Sequence, residues 1–166
     1  IGLPAAQFAV AVGAEVHLGG VRERSLSLAR SLGVPHTWQL DELAESASDR
    51  FDAVIEATSN PAMPALSLRL AKPTGRVVYV GLASTPSQVD TRDIALKDLT
   101  VVGILSASPG LAGAIAHFAD GSVVPDAIVS ETVALEDVPA RFEGRRGADA
   151  GPGPKIHVDP RTPAVL

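Results

Sequence analysis

The chain has 166 residues, of which 46% are hydrophobic and 20% are charged, and its formal net charge is −5 at pH 7. This composition predicts a globular domain with an apolar core, and the negative charge argues against a surface that binds nucleic acid or anionic membrane. The sequence has no cysteine, which excludes disulfides, cysteine nucleophiles and cysteine-ligated zinc within these residues. No apolar run reaches the roughly 18 residues that a membrane span requires.

The order of apolar and polar residues predicts helices that alternate with short strands. Apolar residues three or four apart indicate helices, and short apolar runs bounded by turn residues indicate strands. In chain order these are helix 2–12, strand 14–18, helix 22–32, strand 36–40, a short helix from 41, strand 51–57, helix 62–70, strand 76–82, strand 98–105, helix 109–119, helix 135–143 and strand 155–158.

This alternation is typical of βαβ units, so the predicted fold class is α/β with a parallel sheet and right-handed crossovers. Strand 76–82 is nearly unbroken in apolar residues, which is typical of a parallel strand covered on both faces. Helix 2–12 is apolar almost all round, which predicts burial on most of its faces. The alternation stops near residue 132, and we expect residues 133–166 to leave the parallel sheet.

Small residues stand at the carboxyl ends of the predicted strands. In an open parallel sheet, ligands bind at this edge, and small residues let a flat ligand approach the backbone closely. The strand ends therefore predict a ligand site, although the same glycines could simply end strands. The residues are Gly19-Gly20, Ala57-Thr58, Gly81-Leu82 and Leu105-Ser106.

The turn after the first predicted strand carries two arginines. At this place in dinucleotide-binding folds, an acidic residue accepts hydrogen bonds from the ribose 2′-hydroxyl of NAD and repels a 2′-phosphate. Here Gly20 offers no carboxylate and Arg22 follows two residues later. We therefore predict a preference for NADP(H) over NAD, with Arg22 as the main contact and Arg24 as a second one. The alternative is an exposed first helical turn with ordinary solvated charges.

No pattern in the chain predicts a catalytic residue or a metal ligand. The serines lack a Gly-x-Ser-x-Gly nucleophile elbow, and the four histidines lack the spacing of a helical metal motif. His17 is interpreted as a packed or edge-exposed strand residue, and His36, His117 and His157 as scattered.

Six segments, taken in order and with their spacing, resemble the carboxyl-terminal half of the zinc-dependent medium-chain dehydrogenases, in the branch of alcohol, polyol and threonine dehydrogenases. Their first segment, which contains Gly2, resembles the end of a glycine-rich dinucleotide fingerprint. The zinc-free quinone reductase branch is the alternative within this superfamily. The segments are IGLPAAQFAVAVGAEV, SLSLARSLGV, FDAVIEATSNP, LAKPTGRVVYVGL, LKDLTVVG and GPKIHVDP.

The resemblance implies a Rossmann-type doubly wound parallel sheet in the order 3-2-1-4-5-6, whose first strand is not among these residues. Residues 1–132 would be a partial dinucleotide-binding domain, and residues 133–166 a tail that returns to a catalytic domain outside this sequence. Because strand 1 is the central strand, we expect that this chain does not fold alone.

The resemblance also implies a role for each matching residue. Gly2 and Leu3 would lie by the pyrophosphate, and Gly20 and Arg22 by the ribose. Ala57 and Thr58 would border the adenosine. The nicotinamide would lie by Val80, Gly81 and Leu82, and its carboxamide near Leu105 and Ser106. The segment Leu99–Leu105 resembles the outer strand through which such enzymes form homodimers or homotetramers.

The function that follows from the resemblance is cytoplasmic oxidoreductase activity, with hydride passing between a small alcohol or polyol and nicotinamide. The cofactor would be NADP, with NAD as the alternative, and the zinc would lie in the catalytic domain outside this sequence. The competing interpretations are a zinc-free enzyme similar to quinone reductases, a non-catalytic NADP(H)-binding module and an inactive fragment.

Overall fold

The computed structural model describes residues 1–45, 48–106 and 109–162, in which helices and strands alternate. The strands are β1 His17–Gly20, β2 His36–Gln39, β3 Phe51–Glu56, β4 Ala71–Tyr79, β5 Thr100–Gly103, β6 Val129–Val133 and β7 Lys155–Val158. The α-helices are α1 Gly2–Ala11, α2 Glu23–Ser31, α3 Leu40–Glu45, α4 Met63–Leu70, α5 Thr91–Leu96, α6 Leu111–Ala119 and α7 Val138–Phe142. Short 3-10 helices cover Pro125–Ile128 and Leu135–Asp137.

All strand pairs in the described residues are parallel, and they form three sheets. Their orders are β1-β2, β3-β4-β5 and β6-β7. When β1 to β5 are counted as strands 2 to 6 of a doubly wound sheet, the first two orders are 3-2 and 4-5-6. The predicted Rossmann-type α/β class is therefore confirmed. Within the described part of the chain, no helix is both long enough and apolar enough to cross a bilayer.

The chain divides into two compact units. One contains Ile1–Gly2 and Leu40–Ala114, and the other contains Leu3–Gln39 and Ile115–Leu166. The first unit therefore carries β3 to β5, and the second carries the other two sheets. The predicted division at residue 132 stays a prediction.

The core of the β3-β4-β5 unit lies between α4 and the sheet. Leu68 of α4 and Val77 of β4 are fully buried and pack with Ala71 and Leu99. Burial of one such aliphatic side chain contributes roughly 1.5–3 kcal/mol. The apolar run that predicted strand 76–82 thus supplies the buried face of β4.

In the other unit, small and branched residues join α1 to α2. Ala6, Ala29 and Val34 form the buried cluster there. Only Ala6 and Gln7 of α1 are buried, and the other eight residues of this helix are half-buried. The expectation that this helix is buried on most faces is wrong for the chain as it stands.

Lys97 closes the carboxyl end of α4. Its Nζ donates to the carbonyl oxygens of Leu68, Arg69 and Ala71 at 3.0–3.2 Å and lies 2.6 Å from Asp49 Oδ1. The last carbonyls of a helix have no partner within the helix, and a cation there also matches the negative end of the helix dipole. One side chain therefore fixes where α4 ends and β4 begins.

Strand β4 begins five residues earlier than predicted. Phe51 pairs with Ala71 but Ala53 pairs with Arg76, so residues 72–75 bulge out of the ladder. Thr74 has φ 62° in this bulge, and its N–H donates to Lys97 O at 2.7 Å. Residues 72–75 separate the predicted helix 62–70 from the predicted strand 76–82, and the structure places them as a bulge inside β4.

Three elements were not predicted, namely α5, β6 and the 3-10 helix Pro125–Ile128. Helix α5 has six residues, too few for helical periodicity to be visible, and it is fixed by Asp90, whose side chain accepts from the N–H of Arg92. Strand β6 pairs in parallel with β7 in a sheet of its own. The first strand was predicted too early, since it covers His17–Gly20 rather than residues 14–18.

Candidate cofactor-binding site

The turn from β1 to α2 keeps position 20 small. Gly20 is the last residue of β1 and pairs with Gln39 of β2. A Cβ built on Gly20 would lie 3.0 Å from Cδ2 of Leu26, which is 1% exposed and belongs to the buried core. A larger side chain at position 20 therefore requires Leu26 to shift.

Arg22 is the N-cap residue of α2, with extended backbone angles and an exposed side chain. Among the residues that the structure describes, its guanidinium has no hydrogen-bond or ion-pair partner. An exposed arginine without an internal partner is available for an external anion, and its planar donors suit phosphate.

The neighbouring acid is occupied within the protein. Glu23 accepts hydrogen bonds from Arg30, from Ser27 Oγ at 3.0 Å and from Gln39 Nε2 at 3.2 Å. The hydrogen bonds from Arg30 and Ser27 hold the pKa of Glu23 below its usual value. The Glu23 carboxylate beside Arg22 therefore pairs with Arg30.

Arg24 has a different environment from Arg22. Its Nη2 donates to the carbonyl oxygen of Gly151, so this guanidinium joins the first turn of α2 to the connection before β7. Of the two arginines predicted to meet a 2′-phosphate, only Arg22 keeps its donors unused in the described residues.

Helix α1 begins at Gly2, where a Cβ would meet no atom within 4 Å. The first N–H groups of a helix have no partner inside it and carry a partial positive charge. The open space beside Gly2 leaves room for a ligand at this helix end, and helix amino ends favour phosphate groups. Leu3, the next residue, is half-buried against the Ala6 cluster.

In the β3-β4-β5 unit, the carboxyl ends of β3 and β4 are locked together by Glu56. Its carbonyl oxygen accepts from the N–H groups of Val80 and Gly81 at 2.8 and 3.0 Å. Its carboxylate is buried, and Oε1 accepts from the N–H of Thr58 at 2.7 Å. One residue therefore fixes both turns that follow the strands.

Gly81 approaches the backbone of Thr58 more closely than any other residue type allows. A Cβ at position 81 would lie 2.1 Å from Thr58 O and 2.5 Å from Glu56 Oε2. The structure thus brings Thr58 and Gly81 into direct backbone proximity. The small size of position 81 has a structural cause, which the sequence analysis left open.

Tyr79, the last residue of β4, packs behind these turns. Its hydroxyl donates to Pro64 O at 3.0 Å, and its carbonyl oxygen accepts from the N–H of Ile104 at 2.9 Å. Burial, with a smaller effect from the charge of Glu56, raises the pKa of Tyr79. The phenol therefore stays neutral at physiological pH and acts here as a hydrogen-bond donor.

The remaining candidate residues of this unit follow the ends of β3, β4 and β5. Ala57 and Val80 are half-buried, whereas Leu82 and Leu105 are exposed despite being apolar, and Ser106 is exposed beside Leu105. Because the three strands are parallel neighbours, these residues lie along one edge of their sheet.

Residues 1–120 match the protein-family model that is described as zinc-binding dehydrogenase. The chain belongs to the zinc-binding dehydrogenase family. The resemblance that the six segments predicted is thereby confirmed.

Proteins similar to this zinc-binding dehydrogenase chain share its fold over most of its length. An uncharacterized zinc-type alcohol dehydrogenase-like protein of Haemophilus influenzae is 26% identical over 147 residues, which are 84% of this chain and 43% of that protein. A putative zinc-binding dehydrogenase of Sinorhizobium meliloti 1021, solved with NADP bound, superposes with a TM-score of 0.81 at 24% identity, covering 94% of this chain and 48% of that chain. The alcohol dehydrogenase TADH of Thermus sp. ATN1 superposes with a TM-score of 0.73 at 28% identity, covering 85% and 44%. The chain thus spans less than half the length of these relatives.

Two features of this zinc-binding dehydrogenase chain were missed by the sequence analysis. Glu56 was interpreted only as part of a strand, since nothing in FDAVIEATS distinguishes a buried carboxylate from an exposed one. His17 and His36 were interpreted as unrelated, but they are register partners in β1 and β2. Strand pairing sets this proximity, and sequence spacing does not reveal it.

Proposed function

We propose that this chain is the cofactor-binding part of an NADP(H)-dependent zinc alcohol or polyol dehydrogenase. The observation that carries the preference for NADP(H) is the exposed Arg22 guanidinium, without an internal partner in the described residues, two residues after a strand end that has no carboxylate. Membership of the zinc-binding dehydrogenase family supports the oxidoreductase class.

The ribose end of the cofactor is assigned to Gly20 and Arg22. With Glu23 paired with Arg30, the Arg22 guanidinium is the unpaired charge at this turn, which favours a 2′-phosphate over a 2′-hydroxyl. A charge-assisted hydrogen bond contributes roughly 1.5–3 kcal/mol, or about 10- to 100-fold in affinity. Arg24 supports the turn through Gly151 and is assigned only a secondary part.

The pyrophosphate is assigned to the amino end of α1 at Gly2 and Leu3. The adenosine and nicotinamide are assigned to the residues after β3, β4 and β5, namely Ala57, Thr58, Val80, Gly81, Leu82, Leu105 and Ser106. The nicotinamide supplies the hydride chemistry when it is bound, and these residues hold and orient it. The zinc and the site for a small alcohol or polyol belong, by the resemblance, to the catalytic part outside these residues.

The proposed enzyme is a cytoplasmic homodimer or homotetramer that associates through Leu99–Leu105. In support, β5 pairs only with β4 among the described strands, so its other edge is available for pairing. The residues at this edge include the partly exposed apolar side chains of Val102 and Ile104, and an exposed apolar edge strand favours self-association.

The deciding experiment measures the affinity of Arg22→Ala for NADPH and NADH by titration. We expect the Kd for NADPH to rise by about 10- to 100-fold, because a charge-assisted phosphate contact is lost, while the Kd for NADH stays nearly unchanged. Arg145→Ala is the matched control, since Arg145 is an exposed arginine paired with Glu143 in the region after α7. An equal loss for both cofactors in Arg22→Ala would refute the preference for NADP(H).

A further inference from the structure

Three side chains of metal-binding type converge at the amino-terminal ends of β1 and β2. His17 and His36 are the first residues of these strands and pair with each other in register. Glu15 lies just before β1, and one ligand atom from each of the three residues lies within 4.8 Å of the other two. This end of β1 is opposite to the end that carries Gly20 and Arg22.

The distances in this group match those of a tetrahedral metal site. Glu15 Oε1 lies 3.3 Å from Nε2 of His17 and 3.3 Å from Nε2 of His36. Zinc–ligand bonds of about 2.0–2.2 Å place two ligands of a tetrahedral ion roughly 3.3–3.5 Å apart. Two of the three ligand–ligand separations therefore already have the length that a zinc ion requires.

The two imidazoles are held by the strands and by stacking. Their ring centroids are 4.3 Å apart with 22° between the planes, and the indole of Trp38 lies beside the His17 ring, nearly parallel to it, with the centroids 5.8 Å apart. The side chain of His17 is 11% exposed and that of Glu15 is 74% exposed. A fixed, partly buried histidine next to an open carboxylate leaves solvent access for an ion on one side.

We propose that Glu15, His17 and His36 bind a divalent transition-metal ion of the zinc class, with water completing the coordination. Two imidazoles and one carboxylate suit Zn²⁺, Ni²⁺ or Cu²⁺ better than Mg²⁺ or Ca²⁺, which prefer oxygen ligands only. The ion joins the beginnings of β1 and β2, so it stabilises the parallel pair from the end away from the proposed cofactor edge.

Trp38 selects the tautomer of His17. Its Nε1–H donates to Nδ1 of His17 at 3.0 Å, so without metal the imidazole proton is on Nε2, which donates to Glu15 Oε1. Metal binding at Nε2 moves that proton to Nδ1, which then no longer accepts from Trp38. The indole N–H therefore opposes metal binding.

The test measures Zn²⁺ binding by competition with a chromogenic chelator, using the protein at its native length. We expect wild type to bind one more Zn²⁺ per chain than His36→Gln, with an affinity loss of about 100-fold or more, since even an outer partner of a ligand contributes about 10- to 100-fold. Glu15→Gln is the second variant, because its exposed side chain can be changed without disturbing the core. Other metal sites are common to all variants and cancel in the comparison.

His157→Gln is the matched control, since His157 is an exposed histidine of β7 outside the group. It should retain the extra Zn²⁺. Equal Zn²⁺ uptake by wild type, His36→Gln and Glu15→Gln would overturn the proposal. A loss of Zn²⁺ in His157→Gln as large as in His36→Gln would also overturn it, because it would indicate nonspecific binding to surface histidines.

Trp38→Phe tests the proton step separately. It keeps an aromatic ring but removes the N–H that opposes metal at His17, so we expect the site to bind Zn²⁺ more tightly than the wild type. Unchanged or weaker binding would overturn the assignment of His17 Nε2 as a ligand. Far-UV circular dichroism without metal verifies that each variant keeps the wild-type fold.

Discussion

Gly81 shows how a backbone contact restricts a single position. Its absent side chain makes room for Thr58 O, to which a Cβ would be 2.1 Å away. We predict that Gly81→Ala lowers the free energy of unfolding by about 1–3 kcal/mol, because forcing extra atoms into a packed contact costs that much. Urea denaturation followed by circular dichroism measures the change.

The same substitution at Gly113 has the opposite expected sign. Gly113 lies within α6, where a Cβ would meet nothing within 4 Å, and alanine is preferred over glycine inside a helix by about 1 kcal/mol. Gly113→Ala should therefore leave the protein as stable or more stable. A similar loss in both variants would mean that the Thr58 contact does not account for the requirement at position 81.

At the residue scale, the sequence predicts the turn from β1 to α2 as the site of the ribose, but it does not predict the hydrogen bonds that Glu23 accepts there. The absence of an acid at Gly20 and the presence of Arg22 are visible in five consecutive letters. The neutralising partners of Glu23 are not, because Arg30 and Gln39 reach it through the helix and the neighbouring strand. Local spacing can be read directly, whereas partners brought in by packing require the fold.

At the element scale, α5 depends on one N-cap. Asp90 Oδ1 accepts a hydrogen bond from the backbone N–H of Arg92 at 2.9 Å. Both carboxylate oxygens also accept from the Arg92 guanidinium. These hydrogen bonds lower the pKa of Asp90 from 3.8 to about 2. Since the folded pKa lies below the unfolded one, the contribution is complete above pH 3.8 and is lost as the pH falls towards 2.

We therefore predict that wild type loses stability relative to Asp90→Asn between about pH 4 and pH 2. The asparagine keeps a cap acceptor but cannot titrate in this range. Chemical denaturation of both proteins across the pH series measures the difference. A constant difference in the free energy of unfolding over this interval would show that Asp90 does not carry the effect.

The elements differ in how far the sequence predicts them. Strands β2, β3 and β7 are predicted to within one residue, because turn residues flank each of these short segments. Strand β4 is not, since its first residues, Ala71 to Gly75, contain a bulge that only pairing with β3 reveals. Helix α5 is too short to show a period. Apolar segments and turn residues thus locate the helices and strands, and the pairing between strands decides where the strands begin and end.

At the scale of the whole molecule, the sheet orders 3-2 and 4-5-6 are the strongest agreement between sequence and structure. The alternation of elements predicts parallel strands with right-handed crossovers, and the family resemblance implies the order itself. The division into two compact units could not be predicted from spacing along the chain, because each unit combines segments that are far apart in the sequence. The outer position of β5 follows from the order and makes the proposed assembly testable.

Val102 of β5 is 38% exposed at the free edge of this strand. If the protein assembles through β5, Val102→Lys places a charge in the interface, and an unpaired buried charge is costly enough to prevent association. We predict that the variant elutes as a monomer in size-exclusion chromatography with light scattering, whereas wild type elutes as a dimer or tetramer. The NADPH affinity of the variant should stay within about twofold of wild type, because Val102 precedes the strand end proposed to meet the nicotinamide.

Val124→Lys is the control for this prediction, since Val124 is 49% exposed and belongs to the unit that does not contain β5. It should retain the wild-type mass. Two results would contradict assembly through β5: an unchanged mass for Val102→Lys, or the same dissociation in Val124→Lys. The first would locate the interface elsewhere, and the second would mean that added positive charge alone separates the subunits. Only dissociation confined to the β5 variant connects the free edge of this sheet to the assembly.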